Sequence, residues 1–317
     1  MSKYLIVGGA GFIGSQLASS LLSQNHEVCV IDNLCSGSYE HIQGLRSYGT
    51  KFLFIKEDIR GADYIKHFQG IDIVVMLAAN ADIAKATTDP SIDFYEGTLL
   101  MQITLEAIRI ANIKRLVFSS GSGVYGDIGY TYANERTLTE PISPYGANKL
   151  ACEALVRAYV CMFDIQATIF RFGNVVGPQQ THGVCYDFIR QLLKDAGVLT
   201  ILGDGTQDKP YLHVDDVVDA INFSILKQYS RFEIFNLAPR DSTTVNQIAE
   251  IIIEEMNISP RIVRGLNDRG WKGDVPIVRL DSTLINSFGY TLRYSSTESI
   301  RKSVRELLSK KEYLLSR

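Results

Sequence analysis

The chain has 317 residues, of which 46% are hydrophobic and 21% charged, and a formal charge of -3. That supply of apolar residues builds one large or two smaller globular domains and excludes a disordered or fibrous chain. With no excess of Lys and Arg, the electrostatic basis for nucleic-acid binding is missing, so an anionic ligand must be held by local groups.

In chain order, short Val/Ile/Leu runs predict strands near 3–7, 27–31, 51–55, 71–77, 115–119 and 165–170. Stretches of helical period stand between most of them, among them 12–23, 90–110 and 145–163. Such alternation calls for a parallel sheet covered on both faces, an α/β Rossmann-type doubly wound fold. After about Phe172 the pattern loosens, with turns at Val176-Gly177-Pro178 and at Leu202-Gly203-Asp204-Gly205. The expected division is a dinucleotide-binding domain over 1–172 and a second, smaller α/β ligand-binding region over 173–317, some of whose segments return to the first sheet. No repeat or flexible linker separates the two, and a cleft between them is the default ligand site.

The first strand begins at Lys3 with no leader-like segment before it, and the longest apolar run, 73–79, is too short to cross a bilayer. A cytoplasmic protein without membrane or nucleic-acid partners is expected. Cys29, Cys35, Cys152, Cys161 and Cys185 are scattered and form no C-x-x-C pair. They point to neither a disulfide framework nor a metal site, and buried fillers are expected.

Directly after the first strand comes Gly8-Gly9-Ala10-Gly11-Phe12-Ile13-Gly14, a glycine-rich turn that opens a helix. Missing side chains permit the tight turn and the close approach of a pyrophosphate, and the helix start offers free N–H groups. Asp32 follows the second strand, 18 positions after Gly14, where a carboxylate accepts hydrogen bonds from an adenosine ribose. The same charge repels a 2′-phosphate, so NAD is expected over NADP. Asp58 and Ile59, after the third strand, are candidates to bracket the adenine.

Tyr145-Gly146-Ala147-Asn148-Lys149 places a phenol and an ammonium four positions apart. If Ser143-Pro144 starts a helix, the two share a face, and the cation favours ionisation of the phenol. An ionisable tyrosine is a usable general base for a hydroxyl.

Taken together, these residues resemble the extended short-chain dehydrogenase/reductase superfamily, and within it the NAD-dependent nucleotide-sugar epimerases and dehydratases, closest to the UDP-galactose (UDP-glucose) 4-epimerases. The resemblance rests on Gly8-x-x-Gly11-x-x-Gly14, Asp32-Asn33, Leu77-Ala78-Ala79, Phe118-Ser119-Ser120, Val124-Tyr125-Gly126, Tyr145-x-x-x-Lys149, Arg171 through Pro178, Gly203 through Gln207 and Gly273-Asp274-Val275. It implies C4 inversion of a UDP-hexose through a transient 4-keto sugar, with tightly held NAD regenerated in each turnover and Tyr145 as acid/base. It also implies cofactor contacts from Asn33, Leu77, Ala78, Ala79 and Ser119, a nucleotide-sugar contact from Asn174, and a homodimer. A net reductase, a dehydratase or a decarboxylase of the same superfamily is the alternative enzyme, and a non-catalytic NAD-binding regulator or scaffold is the alternative of another class.

Three departures from the family pattern stand out. Its catalytic Ser/Thr position holds Gly121, so a hydroxyl for the developing oxyanion comes from Ser122 or Ser120, or is missing. Lys209 replaces an arginine that faces the diphosphate, and Arg269 and Lys272 are candidates to compensate. An asparagine near the start of the 97–110 helix is Gly97. The acid of the sugar dehydratases and the glutamate of the decarboxylases are both absent from Gly121-Ser122-Gly123, which leaves epimerisation as the simplest chemistry.

Overall fold

Runs of β-branched residues bounded by glycine become strands buried on both faces, because only a sheet covered by helices on each side hides such a run completely. The structure is a computed structural model, and it describes residues 1–61, 63–80, 82–227 and 230–316. The first half of the chain comprises β1 (Lys3–Val7), α1 (Phe12–Ser23), β2 (Glu27–Ile31), the single turn α2 (Tyr39–Ile42), β3 (Phe52–Ile55), β4 (Ile73–Met76), α3 (Leu99–Ile110), β5 (Arg115–Gly121), α4 (Pro144–Met162) and β6 (Gln166–Phe172). Then come β7 (Asn174–Val176), α5 (Val184–Lys194), β8 (Val198–Ile201), β9 (Asp208–Lys209), β10 (Tyr211–His213), α6 (Val214–Leu226), β11 (Phe232–Leu237), β12 (Thr243–Thr244), α7 (Val245–Met256), β13 (Arg261–Arg264), α8 (Thr283–Ser287) and α9 (Ser296–Leu308).

Seven strands form one sheet in the order β11-β6-β5-β4-β1-β2-β3. The pairs β3–β2, β2–β1, β1–β4 and β4–β5 all run parallel, with Val7 beside Ile31 on one side and Met76 on the other. Leu5, Val7, Val74, Met76, Leu116 and Phe118 of the strands pack with Leu100, Met101 and Leu105 of α3 and with Cys152 and Val156 of α4. Each fully buried side chain of this size contributes about 1.5–3 kcal/mol. This packing fixes α4, and with it the Tyr145-x-x-x-Lys149 motif, against the end of β5.

Two compact units are present, one of Met1–Val124, Pro144–Arg171 and Val218–Phe235, the other of Tyr125–Ser143, Phe172–Val217 and Asn236–Arg317. The chain passes between the units after 124, 143, 171, 217 and 235. The 125–143 stretch joins the second unit through the Tyr125 hydroxyl, which donates to Asn236 at 2.7 Å, and through Ala133, which pairs with Leu280. The 218–235 stretch belongs to the first because β11 extends its sheet beside β6. The second unit has its own core, where Phe188, Ile189 and Leu192 of α5 meet Ile248 and Ile252 of α7 and Ile300, Val304 and Leu307 of α9. Cys29, Cys152 and Cys185 are buried, but Cys35 and Cys161 are exposed, which corrects the reading of all five as fillers.

Candidate active site

The strand order changes direction between β1 and β4, which opens a crevice beyond their carboxyl ends. Both chains leaving that point are crowded. Gly8 has φ +81°, and a β-carbon on it would lie 2.6 Å from the Ala78 amide nitrogen. One on Gly14 would lie 2.6 Å from the Gly8 carbonyl oxygen. These contacts explain why side chains are missing here and bring Leu77, Ala78 and Ala79 beside the glycine turn. Phe12 and Ile13 open α1, whose N-cap is Gly11 with no side-chain cap and no acid in the first turn. The amides and positive pole of the helix are thus left for an anion.

Asp32 stands at the end of β2, 8% exposed. Its Oδ2 accepts from the Ala10 N–H at 2.9 Å and its Oδ1 from the Leu34 N–H at 2.8 Å. Burial pushes the carboxyl up from its ordinary range, against the pull of these two N–H groups. Each oxygen retains a lone pair that a ribose hydroxyl can use. The Asn33 amide donates to Asp58 at 2.9 Å, and the Asp58–Arg60 pair at 2.5 Å holds the Asp58 carboxyl well below the usual range. The Ile59 side chain is buried in the core of the sheet, so what it can offer a dinucleotide is its backbone. The crowded glycines, the uncapped helix start and the carboxylate beside them fit a dinucleotide.

Pro144 opens α4, so Tyr145 and Lys149 lie one turn apart on the same face. Lys149 is buried, and its Nζ donates to the Ser119 carbonyl oxygen at 2.7 Å. The ammonium stands 5.6 Å from the centroid of the Tyr145 ring and 5.1 Å from that of Phe118, within cation–π range of both. Tyr145, Asn148 and Lys149 line a pocket in the first unit with Ala78, Ala79, Asn80, Asp93 and Phe118. The motif and the strand-end loop, 67 positions apart when counted from Ala78 to Tyr145, are thus brought to one place.

Of the two candidate hydroxyls, Ser120 is buried and donates to Glu153 Oε1 at 2.6 Å, while Glu153 pairs with Arg171 at 2.6 Å. Its proton is therefore committed to a buried carboxylate, which removes Ser120 as an oxyanion donor. Ser122 begins the single turn Ser122–Tyr125, is half-buried, and has no hydrogen-bond partner among the described residues. A β-carbon on Gly121 would meet nothing within 4 Å, so the space beside it is open.

In the second unit, Asn174 on β7 stands beside Tyr211 of β10 in the parallel pairing of the two strands. Lys209 and Arg269 are not the free cations expected of diphosphate ligands: Lys209 pairs with Asp274 at 2.6 Å, and Arg269 bonds the Asp127 carboxylate and the Asp274 carbonyl. Lys272 is exposed and makes no ion pair among the described residues. Asn80, Asp93 and Glu153 escaped the sequence reading. A carboxylate four positions before Gly97 in a helical stretch reads as a surface charge, and nothing local marks it as a pocket residue.

Among the described residues no helix is long and apolar enough to cross a membrane, and no cluster of three or more His, Cys, Asp or Glu could hold a metal ion. Residues 4–238 match the NAD dependent epimerase/dehydratase family. The chain is 36% identical to a UDP-glucose 4-epimerase of Mycolicibacterium smegmatis over 69% of its own length and 71% of that protein's. Its structure is similar to that of the UDP-glucose 4-epimerase of Thermotoga maritima with UDP-glucose, at a TM-score of 0.88 and 29% identity over 98% of this chain and 99% of the other. It is also similar to the UDP-glucuronic acid 4-epimerase of Bacillus cereus in complex with UDP-glucuronic acid and NAD, at a TM-score of 0.87 and 27% identity over 97% and 99%.

Proposed function

Since the chain belongs to the NAD-dependent epimerase/dehydratase family, we propose that it inverts C4 of a nucleoside-diphosphate sugar, a UDP-hexose, through a transient 4-keto sugar. One observation carries this reading: Tyr145 and Lys149 share a pocket with Ala78 and Ala79, the loop at the point where the strand order reverses. NAD, when bound, accepts a hydride and returns it, so it is regenerated in every turnover. Gly8, Gly11, Phe12, Ile13 and Gly14 would hold its pyrophosphate, Asp32 and Asn33 its ribose edge, and Leu77, Ala78, Ala79 and Ser119 the rest of the dinucleotide.

Tyr145 takes the proton from the C4 hydroxyl and gives it back once the sugar presents its other face. The Lys149 ammonium favours the phenolate that this requires. Ser122, uncommitted among the described residues, is the candidate hydroxyl to donate to the developing oxyanion. Asn174, Lys209, Arg269 and Lys272 are the candidate contacts to the nucleotide sugar. Lys209 and Arg269 are already paired with Asp274 and Asp127, so they meet a diphosphate with their remaining N–H groups or by exchanging these partners for it. Glycine at 121 and 123 leaves no carboxylic acid at the positions where elimination or decarboxylation would need one, which favours simple inversion.

The deciding experiment incubates the purified protein with UDP-, dTDP-, GDP- and CDP-sugars and follows C4 inversion by NMR without added cofactor. Inversion of a UDP-sugar is expected. Stoichiometric consumption of added NADH, or loss of water, would transfer the chain to the reductase or dehydratase reading, and bound NAD with no turnover would make it a regulator. The same reading takes the protein to be a cytoplasmic homodimer. Five free cysteines support a reducing compartment. Exposed Phe94, Tyr95, Ile110 and Met162, at the ends of α3 and α4, support a partner on those helices.

A further inference from the structure

The pocket of Tyr145 and Lys149 holds a carboxylate that the mechanism above leaves unused. Asp93 immediately precedes the widened turn Phe94–Thr98 that leads into α3, and it is 2% exposed. Its Oδ1 accepts from the Asn80 amide at 3.0 Å, whereas Oδ2 is buried with no hydrogen-bond partner among the described residues. Lys149 lines the same pocket and gives one N–H of its ammonium to the Ser119 carbonyl. A buried carboxylate oxygen without a donor is costly, and buried ammonium hydrogens without acceptors carry the same kind of deficit. The fold sets these complementary deficits in one small space, although the two groups form no direct ion pair.

We propose that Asp93 is a positioning residue for the reaction: its carboxylate is the counter-charge of Lys149, and the division of that ammonium's field between Asp93 and Tyr145 sets how readily Tyr145 gives up its proton. This rests on the reading of Tyr145 as the acid/base. A cation beside a phenol favours the phenolate, and an anion on the cation's other side cancels part of that effect. Removing the Asp93 charge therefore leaves Tyr145 the full benefit of Lys149. Burial pushes the Asp93 carboxyl up from its ordinary range, the Asn80 amide and the Lys149 ammonium pull it down, and Asp89 pushes it up. Tyr145 and Cys152 of α4 are the other titratable groups on the pocket, to which β4 and β5 contribute only Met76 and Phe118.

The test uses the NAD-loaded protein and Asp93→Asn, whose side-chain carbonyl still accepts from Asn80. Two quantities are followed against pH: kcat/KM for C4 inversion, and the ultraviolet tyrosinate absorbance taken as a difference from the Tyr145→Phe protein in each background. Asp93→Asn is expected to move both the acid limb of kcat/KM and the Tyr145 absorbance step to lower pH by about half a unit to one unit. Asp93→Glu, which keeps the charge, is expected to leave the step near its wild-type position. An Asp93→Asn step that overlays the wild type or moves upward overturns the proposal. The absorbance needs no sugar, so a shifted step without any turnover counts against the epimerase reading alone. If Asp93→Asn yields no folded protein, Asp93→Ser removes the same charge, and an unmoved step there overturns the proposal equally.

Discussion

The ammonium of Lys149 donates to the carbonyl oxygen of Ser119 at 2.7 Å, which pins the catalytic motif to the end of β5 with the ammonium 5.6 Å from the centroid of the Tyr145 ring. Tyr145→Phe removes the proton acceptor without changing the shape of the site. It is expected to lower kcat by about 10²–10⁴-fold while NAD content stays at the wild-type level. Steady-state kinetics together with the absorbance of NAD released on denaturation check this, and activity within a few fold of wild type removes Tyr145 from the acid/base role.

Gly14 faces Gly8 too closely to carry a side chain, since its β-carbon would stand 2.6 Å from the Gly8 carbonyl oxygen and 2.6 Å from the Gly9 α-carbon. These neighbours are backbone and cannot swing aside. Gly14→Ala is therefore expected to spread the turn at the N-terminus of α1, to lose most bound NAD and to destabilise the first unit by about 1–3 kcal/mol. NAD content after gel filtration and the urea midpoint report the two effects. Full NAD occupancy in the variant would show that the turn does not hold the pyrophosphate.

Local pattern made much of this fold legible. The residues of β1, β2 and α1 coincide with the runs read from sequence, because each is a short apolar or helical pattern bounded by glycine or polar residues. β3 and β4 come out shorter and β5 longer, by one to three residues each, and β11 was not read as a strand at all. What the sequence hid are pairings over long separations. Ser120 is tied to Glu153 across 33 positions and Lys209 to Asp274 across 65, and no periodicity marks either partner. The motif thus locates the reacting phenol, but which hydroxyl is free to help it depends on contacts that only the folded chain discloses.

That freedom gives a prediction for Ser122, the candidate hydroxyl whose proton is not committed among the described residues. Ser122→Ala is expected to lower kcat by about tenfold or more while KM changes little, as for loss of one oxyanion donor. Gly121→Ser is expected to fold as the wild type does, since its β-carbon meets nothing within 4 Å, and to restore part of the activity lost in Ser122→Ala. A Ser122→Ala enzyme with wild-type kcat would mean that no hydroxyl acts at this position.

His213, on β10, is fully buried between two carboxylates, with Nδ1 at 3.2 Å from Asp215 and Nε2 at 3.0 Å from Glu306, and Lys302 is paired with both acids. Burial by itself would lower the imidazole, but the hydrogen bonds to Asp215 and Glu306 outweigh it and hold His213 above its ordinary value. A raised folded-state pKa means that the stabilisation is fully present below the ordinary imidazole value of about 6.5 and is lost as pH rises through the folded value. The Asp215 carboxyl is held down to about 2, chiefly by the hydrogen bond from His213. Its contribution is therefore present above the ordinary carboxylate value of about 4 and is lost as pH falls toward about 2. The network is at full strength between those two limits. His213→Gln keeps a neutral hydrogen-bonding side chain but cannot carry the charge, and at about pH 5–6 it is expected to lower stability by about 1.5–3 kcal/mol for each charge-assisted bond lost. The difference from wild type should shrink as the pH is raised toward about 9, where the wild-type imidazole is also neutral. Urea midpoints of the two proteins across that range measure it, and a difference that stays flat from about pH 5 to about pH 9 would show that His213 is never charged in the folded state.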